Sequence, residues 1–369
     1  MGGGQLARMM GEAAHGVGVT LTVLATSRDD AAIETCDDVI VGAANDPAAL
    51  DELAAHVDVV TFDHELVDLD LLATLEARGV RVRPSSHALR HSVDKAHQRR
   101  TFAHAGLAVP RFVTTRDASD PAVAHLLNEV GAVVVKAARG GYDGRGVLFP
   151  SDDIQAIAMI DELAQSGEVV VEQRLTLLGE FAQVVVRALD ASCVAYPLVR
   201  TVQRDGMCVE VTYPANLEST ETAEAELVAR TIAELIGAVG VVAVEFFLTD
   251  QGLVVNEIAL RPHNTGHWTI EGALTSQFAN HLLAVSGAPL GAATPVVGAA
   301  AMVNVIGAAR PGSIRGAEAL RDAHVHDYGK AWRPGRKLGH VTVVGDDPAH
   351  AHVTAWESAR AYGTSTQEA

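Results

Sequence analysis

The run Val239-Gly-Val-Val-Ala-Val-Glu-Phe-Phe-Leu-Thr-Asp-Gln-Gly-Leu-Val-Val-Asn-Glu-Ile258 decides the fold. Its two halves, Val239–Leu248 and Gly252–Ile258, are rich in β-branched and aromatic residues, and Thr249–Gln251 between them has hairpin length. Each strand carries a carboxylate, Glu245 in one and Glu257 in the other, among apolar neighbours. An acid in such a strand is costly unless it is paired or bound to a cation. Strand pairing can set the two glutamates side by side, and with the Asn256 amide oxygen they make a hard oxygen site of the type that holds Mg²⁺ bridged to nucleotide phosphates. In the alternative, one glutamate faces solvent and the other pairs with an arginine. The magnesium arrangement is the expectation, with Glu245 and Glu257 as ligands.

Directly downstream, Ala259-Leu-Arg-Pro-His-Asn-Thr-Gly-His-Trp-Thr-Ile270 offers donors from Arg261, His263, Asn264 and His267 to an anionic ligand. The two histidines sit on a loop containing Pro and Gly, not on a helix, and no third ligand is indicated, which favours a substrate loop over zinc. Upstream, Lys136-Ala-Ala-Arg-Gly-Gly-Tyr-Asp-Gly-Arg-Gly146 follows an apolar strand. Glycines let backbone N–H groups turn toward an anion, and Lys136 and Arg145 add positive charge, so the segment reads as a loop closing over phosphates, with a plain surface turn as the alternative. GxxxxGK[ST] occurs nowhere, so this is not a Walker loop. Near the end, Tyr328-Gly-Lys330 and Arg333-Pro-Gly-Arg-Lys-Leu-Gly-His340 form the densest cationic cluster, suited to a substrate phosphate or, less informatively, a solvated face.

The remaining chain gives these segments a setting. With 369 residues it suits two or three domains. The first segment alternates apolar runs, Val19–Ala25, Asp37–Val41, His56–Phe62 and Val80–Pro84, with helical stretches, the rhythm of a parallel Rossmann-like sheet. Ser86–Ala105 reads as a helix. A second set of strands begins after Pro110 and includes Val130–Lys136 and Glu168–Gln173, and a third region from about Gly291 holds Ala300–Ile306 and His340–Val344. The division expected is 1–85, 86–290 and 291–369, with a polar tail at Gly363–Ala369. Gly2-Gly-Gly-Gln-Leu-Ala7 looks like a glycine turn opening a helix with no strand before it, so the sheet is expected to lack its first, central strand. No apolar run is long enough for a membrane span, no signal segment opens the chain, and Cys36, Cys193 and Cys208 show no paired spacing, so a soluble cytoplasmic protein is expected. A formal charge of −18 argues against nucleic-acid binding.

Taken in order, Gly3-Gly-Gln-Leu-Ala-Arg-Met9, Gly140–Gly146, Asn256–Trp268, Thr275-Ser-Gln-Phe278 and Arg333–His340 make the chain similar to the 5-(carboxyamino)imidazole ribonucleotide synthase family, ATP-grasp ligases of purine biosynthesis. The Asn-Glu-Ile-Ala-x-Arg-Pro-His-Asn-x-Gly-His-Trp run is its most specific element. The resemblance implies an α/β and α+β chain: a Rossmann-like pre-ATP-grasp domain, an ATP-grasp domain and a small C-terminal domain. It implies ATP as co-substrate with Mg²⁺, aminoimidazole ribonucleotide and bicarbonate as substrates, carboxyphosphate as intermediate and a homodimer. Lys136, Gly141, Tyr142, Asp143, Gly144, Arg145, Gly146, Val147, Glu172, Gln173, Arg174, Leu175, Glu180, Asn256 and Glu257 would bind ATP, together with His91 and Gln203. Gly4, Gln5, Glu65, Arg261, His263, Asn264, Lys330 and Arg336 would hold the ribonucleotide. Tyr142, Asp143 and Arg145 would flank the reacting carboxyl, with Asp143 as general base and Arg145 offsetting charge.

Three departures from the family pattern stand out: His91 where an arginine is usual ahead of Lys95, Gln203 where a histidine is usual, and the missing first strand. The competing readings are another ATP-grasp ligase with a different small acceptor, such as a formate-dependent glycinamide ribonucleotide transformylase or a biotin carboxylase; an NAD-dependent oxidoreductase, from Gly2-x-Gly4-x-x-Ala7 with Asp29 and Asp30; and a noncatalytic nucleotide-binding homologue.

Overall fold

The computed structural model describes residues 1–141 and 146–365. Its first part alternates α1 (Gln5–Ala14), the parallel pair β1 (Thr22–Ala25) and β2 (Asp38–Val41), α2 (Pro47–His56) and α3 (Leu69–Ala77). The expected strands around Val60 and Val82 meet as one parallel bridge. Beneath Gly2–Gly4, where a gap is expected, the backbone of Met1 and Gly2 lies between two neighbours. Gly2 N donates to Leu24 O of β1, and on the other side Asp63 N donates to Met1 O, both at 3.0 Å.

The glycine turn is no dinucleotide cradle. Gly4 N donates to Asp63 Oδ2 at 2.6 Å, so a carboxylate of the chain itself occupies the positive N-terminus of α1. Gly2 has φ +96°, and a Cβ there would lie 1.6 Å from Asp63 Oδ1. Glycine serves the approach of Asp63, which removes the oxidoreductase reading's main support.

The expected helix Ser86–Ala105 is broken into α4 (Ser86–Val93) and α5 (Lys95–His104). Asp94 is extended, and its carboxylate accepts from His97 N at 2.9 Å, capping α5. An aspartate is worth more at a helix N-cap than inside a helix, so the chain bends there and Lys95 opens the new helix. Next comes a four-stranded sheet of β3 (Phe112–Thr115), β4 (Val133–Ala137), β5 (Val147–Leu148) and β6 (Val169–Gln173), ordered β3-β6-β4-β5. It packs on α6 (Pro121–Val130) and α7 (Asp153–Ala164) through Val123, Leu126, Ala156 and Ile160.

The large sheet carries the site. It is built from β7 (Gly179–Arg187), β8 (Cys193–Ala195), β9 (Val199–Arg204), β10 (Met207–Tyr213), β11 (Gly240–Thr249), β12 (Gly252–Ala259), β13 (Ala299–Ile306), β14 (Ala323–Asp327) and β15 (Lys337–Gly345). The order is β12-β11-β7-β9-β10-β13-β15-β14, with β8 on β7. The helices around it are α8 (Ser219–Leu235), α9 (Thr269–Gly272), α10 (Gln277–Ser286), α11 (Ile314–Glu318) and α12 (Pro348–Tyr362). The hairpin β11–β12 forms as expected. Val242, Val244 and Phe246 join the core of Ala229 and Ile232 on α8, while Val241 and Ala243 join Ala284 of α10. A strand covered on both faces needs no polar alternation, which explains the unbroken apolar run. Thr212 of β10 pairs with Ala301 of β13, so the C-terminal strands continue the same sheet.

Trp356 of α12 is fully buried with Val303 and Val343, and its indole N–H donates to Glu210 Oε2 at 2.9 Å. Trp356→Ala should cost about 3–5 kcal/mol, from the cavity and the hydrogen bond lost at Glu210 Oε2, while His352 still pairs Oε1. Trp356→Phe, which keeps most of the volume, should cost less. Urea unfolding followed by circular dichroism measures both.

Candidate functional site

One cleft of about 1780 Å³ gathers all four sequence segments. Gly140 and Gly141 come from the glycine loop, Glu245 and Glu257 from the hairpin. Arg261, His263, Asn264 and His267 come from the loop after it, and Lys330, Arg333, Arg336 and Lys337 from the basic segment. Gly4, Gln5, Glu65, Val147 and Gln203 also line it.

The hairpin register sets Glu245 opposite Glu257, then shifts so that Phe246 meets Val255. Asn256 is the extra residue of this β-bulge. In a regular strand Glu257 would point the same way as Val255, into the core that holds Phe246 and Ile258. The bulge turns it to the other face, beside Glu245. Burial pushes the Glu245 carboxyl up, and Glu257 and Glu180 push it further. Glu257 is held down chiefly by Lys95, whose Nζ lies 2.5 Å from Oε2, against the opposing effect of burial. Two acids thus share one lysine. Among the described residues no cluster of three His, Cys, Asp or Glu could hold a metal alone. Two carboxylates in a cleft suit Mg²⁺, which takes its remaining ligands from water and substrate phosphates.

Behind the glycine loop lies a buried charge cluster. Arg99 Nε donates to Glu172 Oε2 at 2.8 Å, and Lys136 Nζ donates to Oε1. Burial alone would raise the Glu172 pKa, but Arg99 and Lys136 outweigh it and bring it to about 2. Burial lowers the Lys136 pKa; Glu172 opposes this, while Arg99 and Lys95 add to it. Arg99 already neutralises Glu172, so Lys136 is the surplus cation. A phosphate nearby would complete the balance.

At the other end of the cleft, Glu65 steers rather than reaches. Its Oε2 accepts from Arg261 Nε at 2.8 Å and its Oε1 from Leu260 N at 3.0 Å. Lys330 Nζ donates to Gln5 Oε1. The Asn264 amide nitrogen and oxygen are buried with no hydrogen-bond partner among the described residues. Burial, assisted by Arg261, drives His263 to about 3, so it is neutral, with Nε2 3.7 Å from Glu245 Oε1.

Some expected residues stand elsewhere. His91 does not line the cleft: its ring is buried against His97 and His87, and burial brings its pKa to about 4. Its neighbour Arg90 lines the cleft instead, because α4 turns one residue outward as it buries the next. Glu172 spends both oxygens on Arg99 and Lys136. Lys136, buried, and Gly146, Gln173, Leu175, Glu180 and Asn256, half-buried, are not among the residues that line the cleft, and Arg174 is exposed, its guanidinium 5.6 Å from the Phe149 ring centre. Tyr142, Asp143, Gly144 and Arg145 lie outside the described residues. Lys95, Arg90 and Asp63 were not among the expected contacts. Lys95 had a signal: a lysine in a first helical turn opposes the helix dipole and calls for an acidic partner, here Glu257.

Three family models match in succession: the ribonucleotide synthetase preATP-grasp domain over residues 1–92, the ATP-grasp domain over 100–278 and the phosphoribosylaminoimidazole carboxylase C-terminal domain over 300–354. The chain is 48% identical over 360 residues to the N5-carboxyaminoimidazole ribonucleotide synthase of Mycobacterium tuberculosis, covering 95% of this chain and 83% of that one. Its structure is similar to the N5-carboxyaminoimidazole ribonucleotide synthetase of Thermus thermophilus, with a TM-score of 0.90, 32% identity and coverage of 100% and 99%. It is similar also to the Aspergillus clavatus N5-carboxyaminoimidazole synthase in complex with ADP and 5-aminoimidazole ribonucleotide, with a TM-score of 0.87, 29% identity and coverage of 98% and 97%. The fold, the cleft and these likenesses agree, and the chain belongs to the N5-carboxyaminoimidazole ribonucleotide synthase family of ATP-grasp enzymes.

Proposed function

We propose that this chain uses ATP and bicarbonate to carboxylate the amino group of 5-aminoimidazole ribonucleotide, a step of purine biosynthesis. The observation that carries the reading is the single cleft, lined by Arg90, Lys95 and Arg139, by the basic segment and by two facing carboxylates. A bicarbonate oxygen attacks the γ-phosphorus of ATP, the bond to the bridging oxygen breaks, and ADP leaves. The ribonucleotide nitrogen then bonds the carboxyl carbon of carboxyphosphate, the C–O bond to phosphate breaks, and the nitrogen's proton passes to a base. Lys95 and Lys136 meet the nucleotide phosphates. Asp143 is the base and Arg145 offsets charge on carboxyphosphate, roles that rest on the family motif. Mg²⁺, held by Glu245 and Glu257, would neutralise phosphate oxygens. Arg261, His263, Asn264, Lys330 and Arg336 hold the ribonucleotide, and Glu65 and Gln5 orient Arg261 and Lys330.

We assign residues 1–85 to ribonucleotide binding, 86–290 to the nucleotide clamp and 291–369 to the small C-terminal unit that brings the basic segment. The family resemblance supports a homodimer working in the cytosol. None of the helices among the described residues is long and apolar enough to cross a membrane.

ADP release by purified protein with Mg-ATP tests the reading. It should require both bicarbonate and 5-aminoimidazole ribonucleotide, and release indifferent to the ribonucleotide would reject it. Glu257→Gln should lower magnesium-dependent turnover by about 100-fold or more with an unchanged circular dichroism spectrum. Lys136→Met should raise KM for ATP while stability holds, because Arg99 still pairs Glu172. Glu172→Gln should instead cost about 3–5 kcal/mol, since it strands two buried cations.

A further inference from the structure

Gln277 is not among the residues that line the cleft, yet it ties down the loop that does. It is the first residue of α10, behind the N-cap Ser276, and is completely buried. His263 N donates to its Oε1 at 2.9 Å, and its Nε2 donates to His263 O at 2.6 Å. The same Nε2 lies 3.2 Å from His267 Nδ1. Gln277 N donates to Thr269 Oγ1 at 2.9 Å, and that hydroxyl donates to Gly266 O at 2.6 Å. The turn closes so tightly over the amide that a Cβ at Gly266 would come within 2.4 Å of Oε1.

These contacts fix proton positions. A backbone N–H can only donate, so the amide atom facing His263 N is the oxygen and the other is the NH₂. An NH₂ only donates, so His267 Nδ1 accepts. A neutral imidazole that accepts at Nδ1 carries its hydrogen on Nε2. Burial holds His267 well below its ordinary pKa, so the ring is neutral. His267 lines the cleft and is packed between Phe278 and His340, with ring centres 5.5 and 4.8 Å away.

We propose that Gln277 is a positioning residue that fixes the His263 backbone and locks His267 as an Nε2–H donor to an acceptor oxygen of the ribonucleotide. The identity of that acceptor rests on the carboxylation reading; the tautomer does not.

Histidine-selective ¹⁵N labelling of the whole protein tests the tautomer directly. The His267 signal, identified by its loss in His267→Gln, should show a bare Nδ1 and a protonated Nε2, and a protonated Nδ1 would overturn the proposal. In kinetics, Gln277→Glu places an acceptor opposite Nδ1 and should raise KM for the ribonucleotide by about 10-fold or more, leaving KM for ATP unchanged. His267→Gln, whose amide nitrogen can stand in for Nε2, should keep ribonucleotide affinity that His267→Phe loses. Equal rises in both KM values, or equal impairment of the two His267 variants, would also sink it. Wild-type protein that shows the tautomer but no ribonucleotide-dependent turnover would reject the carboxylation reading alone.

Discussion

Two carboxylates facing each other in a sheet covered on both sides cannot both be charged without help, and the architecture of the cleft follows from that constraint. Glu245 and Glu257 are placed together by the bulge at Asn256, with Lys95 as the cation closest to hand. One lysine cannot satisfy both acids. Glu245 is accordingly pushed up by burial and by its neighbours Glu257 and Glu180. A divalent cation arriving with nucleotide phosphates would relieve this repulsion, and the same phosphates would find Lys136 waiting as a surplus charge.

The imbalance is arranged in layers. Deepest is Glu172 between Arg99 and Lys136, where removing the carboxylate leaves two cations stranded in low dielectric. Nearer the cleft is the Lys95–Glu257 pair, both of whose residues line it. At the far end Lys330 and Arg261 are already oriented by Gln5 and Glu65, so part of the ordering cost of holding an anion is met before it arrives.

Hydrogen bonds to the backbone do as much of the positioning as ion pairs. Asp63 fills the glycine turn at α1, so that turn shapes the wall of the cleft and binds no phosphate of its own. Gln277 gives the His263 N–H its acceptor and the His263 carbonyl a second donor beside Gly266 N of the same loop. Such contacts are local in space and distant in sequence, and they hold the loop without adding charge.

The sequence by itself determined the hairpin, the Rossmann-like alternation, the glycine loop and the basic segment, because composition and periodicity over a few residues are enough to specify each. It also pointed to the family through Asn256–Trp268, whose spacing is too particular to arise from propensity. Only the tertiary structure decided which side chains meet. The bulge that turns Glu257 out of the core, the exchange of Arg90 for His91 at the cleft wall and the use of Asp63 to fill the glycine turn depend on how separate elements pack against one another, while the break at Asp94, which caps His97 N three residues on, is set locally. A period read along one strand or helix cannot register a one-residue shift, and a one-residue shift reverses which face a side chain takes.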